Sequence, residues 1–214
     1  MDYTDAQEAL IAHMQDTGAL TSGAVETAIR AMPRHLFVPP AYARHAYMDE
    51  PMPLAHGQTI SQPSTVVVMT EALRVKPGQR VLEIGTGSGW QAALISYIVG
   101  VKGSVITIER FAELAREAKQ NLRNARVENV DVRVGDGTLG VRGEKFDGII
   151  VTAAAPFVPK PLEQQLKTGG RLVIPMGKVV QEMFVFIKTK KGLEQADVLG
   201  QFRFVPLVGK YGFQ

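Results

Sequence analysis

After Pro63 the chain alternates between short apolar runs rich in Val and Ile and longer stretches whose apolar residues recur three to four apart. The short runs predict strands at Val81–Ile84, Ser104–Glu109, Val130–Val134, Phe146–Thr152 and Arg171–Pro175. The longer ones predict helices at Gly89–Val99, Phe111–Asn124 and Pro161–Lys167, preceded by a helix in "STVVVMTEALRV" that "KPGQ" ends. Strand and helix in alternation with short connections imply a mostly parallel, doubly wound α/β sheet covered on both faces. The tail breaks that rhythm. "EMFVFIKTKKGLEQADVLGQFRFVPL" reads as β runs around a Lys-Gly turn, so antiparallel strands are expected to close one sheet edge.

Upstream, "TSGAVETAIRAM" predicts a helix with Ser22 as its cap, an apolar stripe at Val25, Ile29 and Met32, and Pro33 as its stop. The stretch "PRHLFVPPAYARHAYMDEPMPLAHGQTISQP" is too proline-rich for a regular element, and a long irregular segment in a compact protein is commonly a functional loop or clamp. The expected organisation is an N-terminal helical and proline-rich extension, 1–63, packed on a ligand-binding α/β unit, 64–214, as one compact body. With 214 residues, 45% hydrophobic and 21% charged, the chain can bury a substantial core and has ordinary soluble composition. Cysteine is absent, which removes disulfides and thiolate chemistry, and the four histidines show no metal-ligand spacing. No metal, nucleic acid or membrane partner is expected from a net charge of +3 and no apolar run of spanning length. The acidic start lacks the basic segment of a secretion signal, so a cytoplasmic monomer is the expectation.

Candidate chemistry concentrates in "VLEIGTGSGW", Val81 to Trp90, where a strand runs into glycines at every second position. Gly85, Gly87 and Gly89 would let a ligand approach the main chain at the carboxyl edge of the sheet, where doubly wound folds bind nucleotides. The spacing G-x-G-x-G differs from the dinucleotide G-x-G-x-x-G and leaves less room for a pyrophosphate. It suits a nucleoside with an amino-acid end, whose ammonium Glu83 would meet. Glu109, at the tip of "VITIER", offers two oxygens to two ribose hydroxyls, and also stands where it can support the start of the next helix. Asp136 and Gly137 in "GDG" either accept an adenine amine and clear room for its ring, or form an ordinary Asp-Gly turn. Three strand tips in this order describe S-adenosylmethionine.

"VLEIGTGSGW", "VITIER" and "GDG" resemble the class I S-adenosylmethionine-dependent methyltransferases, whose Rossmann-like sandwich is therefore implied. "PRHLFVP", "AYMDEPMPLAHGQTISQP", "FDGIIVTAAAP", "LKTGGRLVIPMG" and "RFVPLVG" narrow the resemblance to the protein-L-isoaspartate O-methyltransferases, over about Pro33 to Gly209. The chain departs from that pattern at Ser64, where the family tends to carry a larger Tyr or His. The resemblance implies S-adenosylmethionine as cofactor, held by Gln62, Gly85, Gly87, Gly89, Glu109, Asp136 and Gly137 beside Glu83, with S-adenosylhomocysteine as product. It implies Ser61 at the catalytic centre and Ile60, Val205 and Pro206 along a peptide cleft for isoaspartyl residues of damaged proteins. A carboxylate acceptor is already ionised at neutral pH and needs no general base, so Ser61 is expected to orient it by hydrogen bond. Its hydroxyl could instead cap the helix after Pro63. Two other readings stay open on the residues alone: a methyltransferase for a small carboxylic acid or RNA, and a noncatalytic S-adenosylmethionine-binding domain. A short-chain dehydrogenase is excluded by the glycine spacing and by the lack of a Tyr-x-x-x-Lys pair.

Overall fold

The computed structural model describes residues 3–214, opening with α1 (Thr4–Asp16) and α2 (Gly23–Ala31). Ser22 caps α2 by accepting from the Val25 N–H, and Ala28 and Ile29 turn its apolar face inward. The proline-rich stretch holds single 3₁₀ turns and a short antiparallel hairpin, β1 (Met52–Pro53) with β2 (Thr59–Ile60). Pro63 then starts α3 (Pro63–Leu73), and Arg74 ends it in the left-handed region at φ 51°.

Beyond α3 the predicted alternation appears: β3 (Arg80–Ile84), α4 (Trp90–Val99), β4 (Ser104–Glu109), α5 (Ala112–Asn124), β5 (Val130–Val134), β6 (Phe146–Val151), α6 (Lys160–Gln165), β7 (Leu166–Met176), β8 (Gln181–Thr189) and β9 (Gly192–Phe202). The strands form one seven-stranded sheet ordered β5-β4-β3-β6-β7-β8-β9, parallel from β5 to β7 and antiparallel across β8 and β9. The mixed edge expected from the tail is present, with Lys190 and Lys191 in its turn.

Both faces of the sheet are buried along its central strands β3, β4, β6 and β7. Val81, Val105, Ile150 and Val173 pack with Met69, Leu73, Ala92 and Ile95 of α3 and α4, while Leu82, Ile84, Ile106, Ile149 and Ile174 pack on the opposite side with Leu162 of α6. Parallel strands sealed on both faces need this near-continuous apolar character. The extension joins the core above α4, where Ile11, Met14, Val25 and Ile29 share a cluster with Trp90, Ala93 and Leu94. Strand order reverses beside β3, since β4 lies on one flank and β6 on the other, and a crevice opens there at the carboxyl ends.

Candidate functional site

The turn after β3 is shaped by contacts that only glycine tolerates. Gly85 sits at φ 94°, and a Cβ there would overlap the Thr152 hydroxyl. That hydroxyl, at the tip of β6, donates to the carbonyls of Ile84 at 3.0 Å and Gly85 at 2.6 Å, locking the turn to the neighbouring strand. Gly89 adopts φ 89°, a left-handed conformation strained for any side chain, where α4 begins beside Ala118 and Leu122 of α5. The Gly87 N–H donates to Glu109 Oε2 at 3.0 Å, and the Phe111 N–H to Oε1 at 3.1 Å. Glu109 thus supports the start of α5 and still keeps acceptor capacity on both oxygens at the cavity wall.

Behind this turn lies an unsatisfied polar pocket. Glu83 is fully buried, neither of its oxygens has a hydrogen-bond partner, and the same holds for Gln91 Oε1. Burial pushes the Glu83 carboxyl up to about 8 and the charge on Glu109 pushes the same way, while the Thr107 hydroxyl on β4, close by without forming a full hydrogen bond, only partly opposes them. Gln91 donates through Nε2 to Thr70 Oγ1 at 2.8 Å, which fixes its amide with the carbonyl oxygen left over. Buried acceptors without donors are rare, and each of these fits a missing donor such as an ammonium.

Asp136, expected as an adenine acceptor, is bonded within the protein on both oxygens. Oδ1 accepts from the Thr138 N–H and hydroxyl, Oδ2 accepts from the Lys210 N–H, and the side chain is absent from the cavity wall. Burial raises its pKa, yet these hydrogen bonds outweigh it and hold the carboxyl below its ordinary value. What Asp136 does here is tie the C-terminal segment to the strand tips, while Gly137 lines the cavity. The same segment is sewn down by main-chain bonds between Ala154 and both Val205 and Leu207, which bring "VPL" over the crevice.

The other side of the crevice comes from the extension, and Arg34 organises it. Its guanidinium, 1% exposed, donates to the carbonyls of Ala46 at 2.7 Å, Glu50 at 3.0 Å and Ser61 at 3.0 Å, and lies over the Trp90 ring at 5.5 Å. Burial without a paired carboxylate lowers its pKa to about 10, so it remains charged. Asp49 adds a second staple, accepting from Gln62 Nε2 at 2.9 Å and the Ser64 N–H at 2.8 Å. His56, at φ 56°, stacks on Phe111 and hydrogen-bonds Glu113 at 2.9 Å, an acid partner that sequence reasoning did not find; neither residue lines the cavity.

These elements enclose one cavity at the strand tips and a second, adjoining groove. Of the residues expected at the site, Ile60, Ser61, Gly85, Gly87, Glu109, Gly137, Val205 and Pro206 line the cavity. Gln62 lines only the groove because Asp49 draws its amide away, Gly89 is committed to helix packing, and Glu83 and Asp136 stand behind the wall. Thr59, Ser61, Thr152 and Val205 line both spaces and so mark their junction. The Ser61 hydroxyl makes no hydrogen bond among the described residues, and the cap of α3 is Gln62, without a side-chain bond. Thr59, Thr152 and Arg34 were not singled out from the sequence; Thr152 ends a predicted strand and Arg34 stands in "PRHLFVP", the only signals each carried.

Comparison with known proteins agrees with this geometry. The model of the family described as protein-L-isoaspartate(D-aspartate) O-methyltransferase matches residues 5–212. The chain is 47% identical to protein-L-isoaspartate O-methyltransferase 1 of Archaeoglobus fulgidus, over 100% of this chain and 98% of that one. It is 45% identical to the Pyrococcus abyssi protein-L-isoaspartate O-methyltransferase over the full length of both. A solved protein-L-isoaspartate O-methyltransferase superposes with a TM-score of 0.87 at 32% identity, covering 96% of this chain and 67% of that one. A Plasmodium falciparum structure, described as a putative enzyme of this kind in complex with S-adenosyl-L-homocysteine, shares the fold with a TM-score of 0.83 at 23% identity, covering 94% and 98%. With a glycine turn beneath a two-chambered crevice and a match running almost from end to end, the chain belongs to the protein-L-isoaspartate (D-aspartate) O-methyltransferase family.

Proposed function

We propose that this protein transfers a methyl group from S-adenosylmethionine to the free carboxylate of L-isoaspartyl residues in damaged proteins and peptides. The observation that carries the proposal is the junction of cavity and groove, where an unengaged Ser61 hydroxyl stands among Thr59, Thr152 and Val205. Two chambers meeting at one hydroxyl suit two substrates that react end to end.

The residues present fit the cofactor. Glu109 has acceptor capacity for ribose hydroxyls, the bare Cα atoms of Gly85, Gly87 and Gly137 admit close approach, and the orphaned oxygens of Glu83 and Gln91 suit the ammonium of its amino-acid end. When bound, the cofactor supplies a methyl group activated by its sulfonium. Ser61 Oγ donates to the acceptor carboxylate and fixes its direction, its own main chain held by Arg34. An isoaspartyl carboxylate is ionised at neutral pH, so no side chain has to take a proton from it. Alignment is the main contribution of the protein, since oriented partners can gain about 7–11 kcal/mol over free encounter. Buried Ile60 and Leu207 help to keep water out of the junction.

The test is transfer of labelled methyl to an isoaspartyl peptide, with its aspartyl twin as control. Base-labile label on the first peptide alone is expected; label on both, or on neither, removes the reading. Ser61→Ala is expected to retain cofactor affinity and lower turnover by about 10- to 100-fold, the range for losing a hydrogen bond to a charged group. Unchanged turnover would take Ser61 out of the reaction.

A further inference from the structure

The groove beyond Ser61 carries a charge that orienting a carboxylate does not require. Its wall is made of Val180, Phe204 and Val205 on the apolar side and Gln62, Ser64 and Thr65 on the polar side, and Arg203 is the only charged residue lining it. Arg203 is exposed, and its side chain has no ion pair or hydrogen bond among the described residues. Elsewhere some cations are paired: Lys160 and Lys188 share Glu163, and Lys167 pairs with Asp147. No acid is among the residues lining the groove, and none pairs with Arg203 among the described residues. Glu182 faces Gln201 across the β8–β9 ladder, and Asp49 stands behind the lining residues Gln62 and Ser64, to which it is bonded. A single cation on the groove lining attracts negative ligands and repels positive ones.

We propose that Arg203 sets the charge preference of the peptide groove: isoaspartyl peptides with an acidic side chain near the isoaspartyl residue bind better than those with lysine in the same place. The inference rests on the proposed function, which makes this groove the seat of the peptide. Arg203 acts on a second charge of the peptide, while Ser61 meets the reacting one. Exposed ion pairs are worth little individually, and adding the attraction of one peptide to the repulsion of the other gives about a three- to tenfold preference.

The experiment measures kcat and KM for three peptides with the same isoaspartyl core, flanked by Glu, Gln or Lys, using wild type, Arg203→Gln and Arg203→Glu at low ionic strength. In the wild type the Glu peptide is expected to exceed the Lys peptide about three- to tenfold in kcat/KM, through KM, and to lose most of that margin in concentrated salt. The ratio should approach one in Arg203→Gln and invert in Arg203→Glu. An equal ratio in wild type and Arg203→Gln, or no preference in the wild type, overturns the assignment while methylation itself stands. Failure of every isoaspartyl peptide to accept label removes the proposed function and this inference with it.

Discussion

Gly85 and Ser61 line one cleft, and what fixes each of them has little in common. Gly85 belongs to the sheet: its N–H donates to the Ile108 carbonyl at 2.9 Å, and its own carbonyl accepts from Thr152 one strand away. Ser61 belongs to a segment whose two strands, β1 and β2, are each two residues long, and its carbonyl is held by a guanidinium 27 residues earlier in sequence. The cofactor half therefore inherits its geometry from a ladder of parallel strands, where shape is overdetermined. The extension half depends on a few polar staples, Arg34 and Asp49 above all. Disturbing one staple should spread through the whole segment, whereas a fault in the sheet half should stay local and strike the ligand it cradles.

The largest effect expected is that of Arg34→Ala. It strands the buried carbonyl of Ala46 and the partly buried ones of Glu50 and Ser61 and removes a cation packed on Trp90, a combined loss of about 4 kcal/mol. Denaturant unfolding would measure it. Peptide kcat/KM should fall further than affinity for S-adenosylhomocysteine, and Arg34→Lys should recover only part, since one ammonium cannot reach three separated carbonyls. Equal losses for both ligands would erase the distinction between the halves. Gly85→Ala comes next, at about 2 to 3 kcal/mol, from a strained left-handed alanine and overlap with the Thr152 hydroxyl. Calorimetric titration should find S-adenosylhomocysteine bound at least tenfold more weakly, with secondary structure retained. Unaltered affinity would mean that the turn does not cradle the ligand.

The same contrast explains how much could be read from the sequence. Strands Ser104–Glu109 and Val130–Val134 fall at their predicted bounds, because β-branched runs between turn signals are local features. The glycine turn was legible for the same reason, and Glu109 by its distance from it. β7 was foreseen only from Arg171, yet it begins at Leu166: pairing with Phe146, across a register shift, carries the strand through Gly169 and Gly170. Arg34 could not be recognised as a staple, since its partners are carbonyls, which every residue has. Gln62 and Asp136 have suitable chemistry for a ligand, but nothing local reveals that Asp49 and the Lys210 N–H also bond to them. Ser61 was found through the family resemblance, and the structure adds its unshared hydroxyl and its place at the junction.

A further effect sharpens the comparison most cleanly, because it separates the halves by pH. Glu83, in the sheet half, is held near 8 by burial against an ordinary value of 4.5, so the folded state keeps a proton that the unfolded chain releases. Its contribution is fully present below about 4.5 and is lost as pH rises towards 8, with a slope of up to about 1.4 kcal/mol per pH unit. Arg34, in the extension, stays charged up to about 10 and adds no slope in this window. His35, also in the extension, is lowered by burial and works in the opposite sense, destabilising the fold as pH falls below its ordinary value of 6.5. The wild-type profile mixes these contributions, and subtracting the Glu83→Gln profile isolates one of them. The difference curve should fall between pH 5 and 8 and be level above. An ammonium placed beside Glu83 favours its ionised form, so S-adenosylhomocysteine binding near pH 7 should release a proton to the buffer. Calorimetry in two buffers of different ionisation enthalpy detects that proton, and Glu83→Gln should abolish its release while weakening binding. A release that persists in Glu83→Gln would locate the titrating group elsewhere and leave the orphaned oxygens of Glu83 and Gln91 without a cation to explain them.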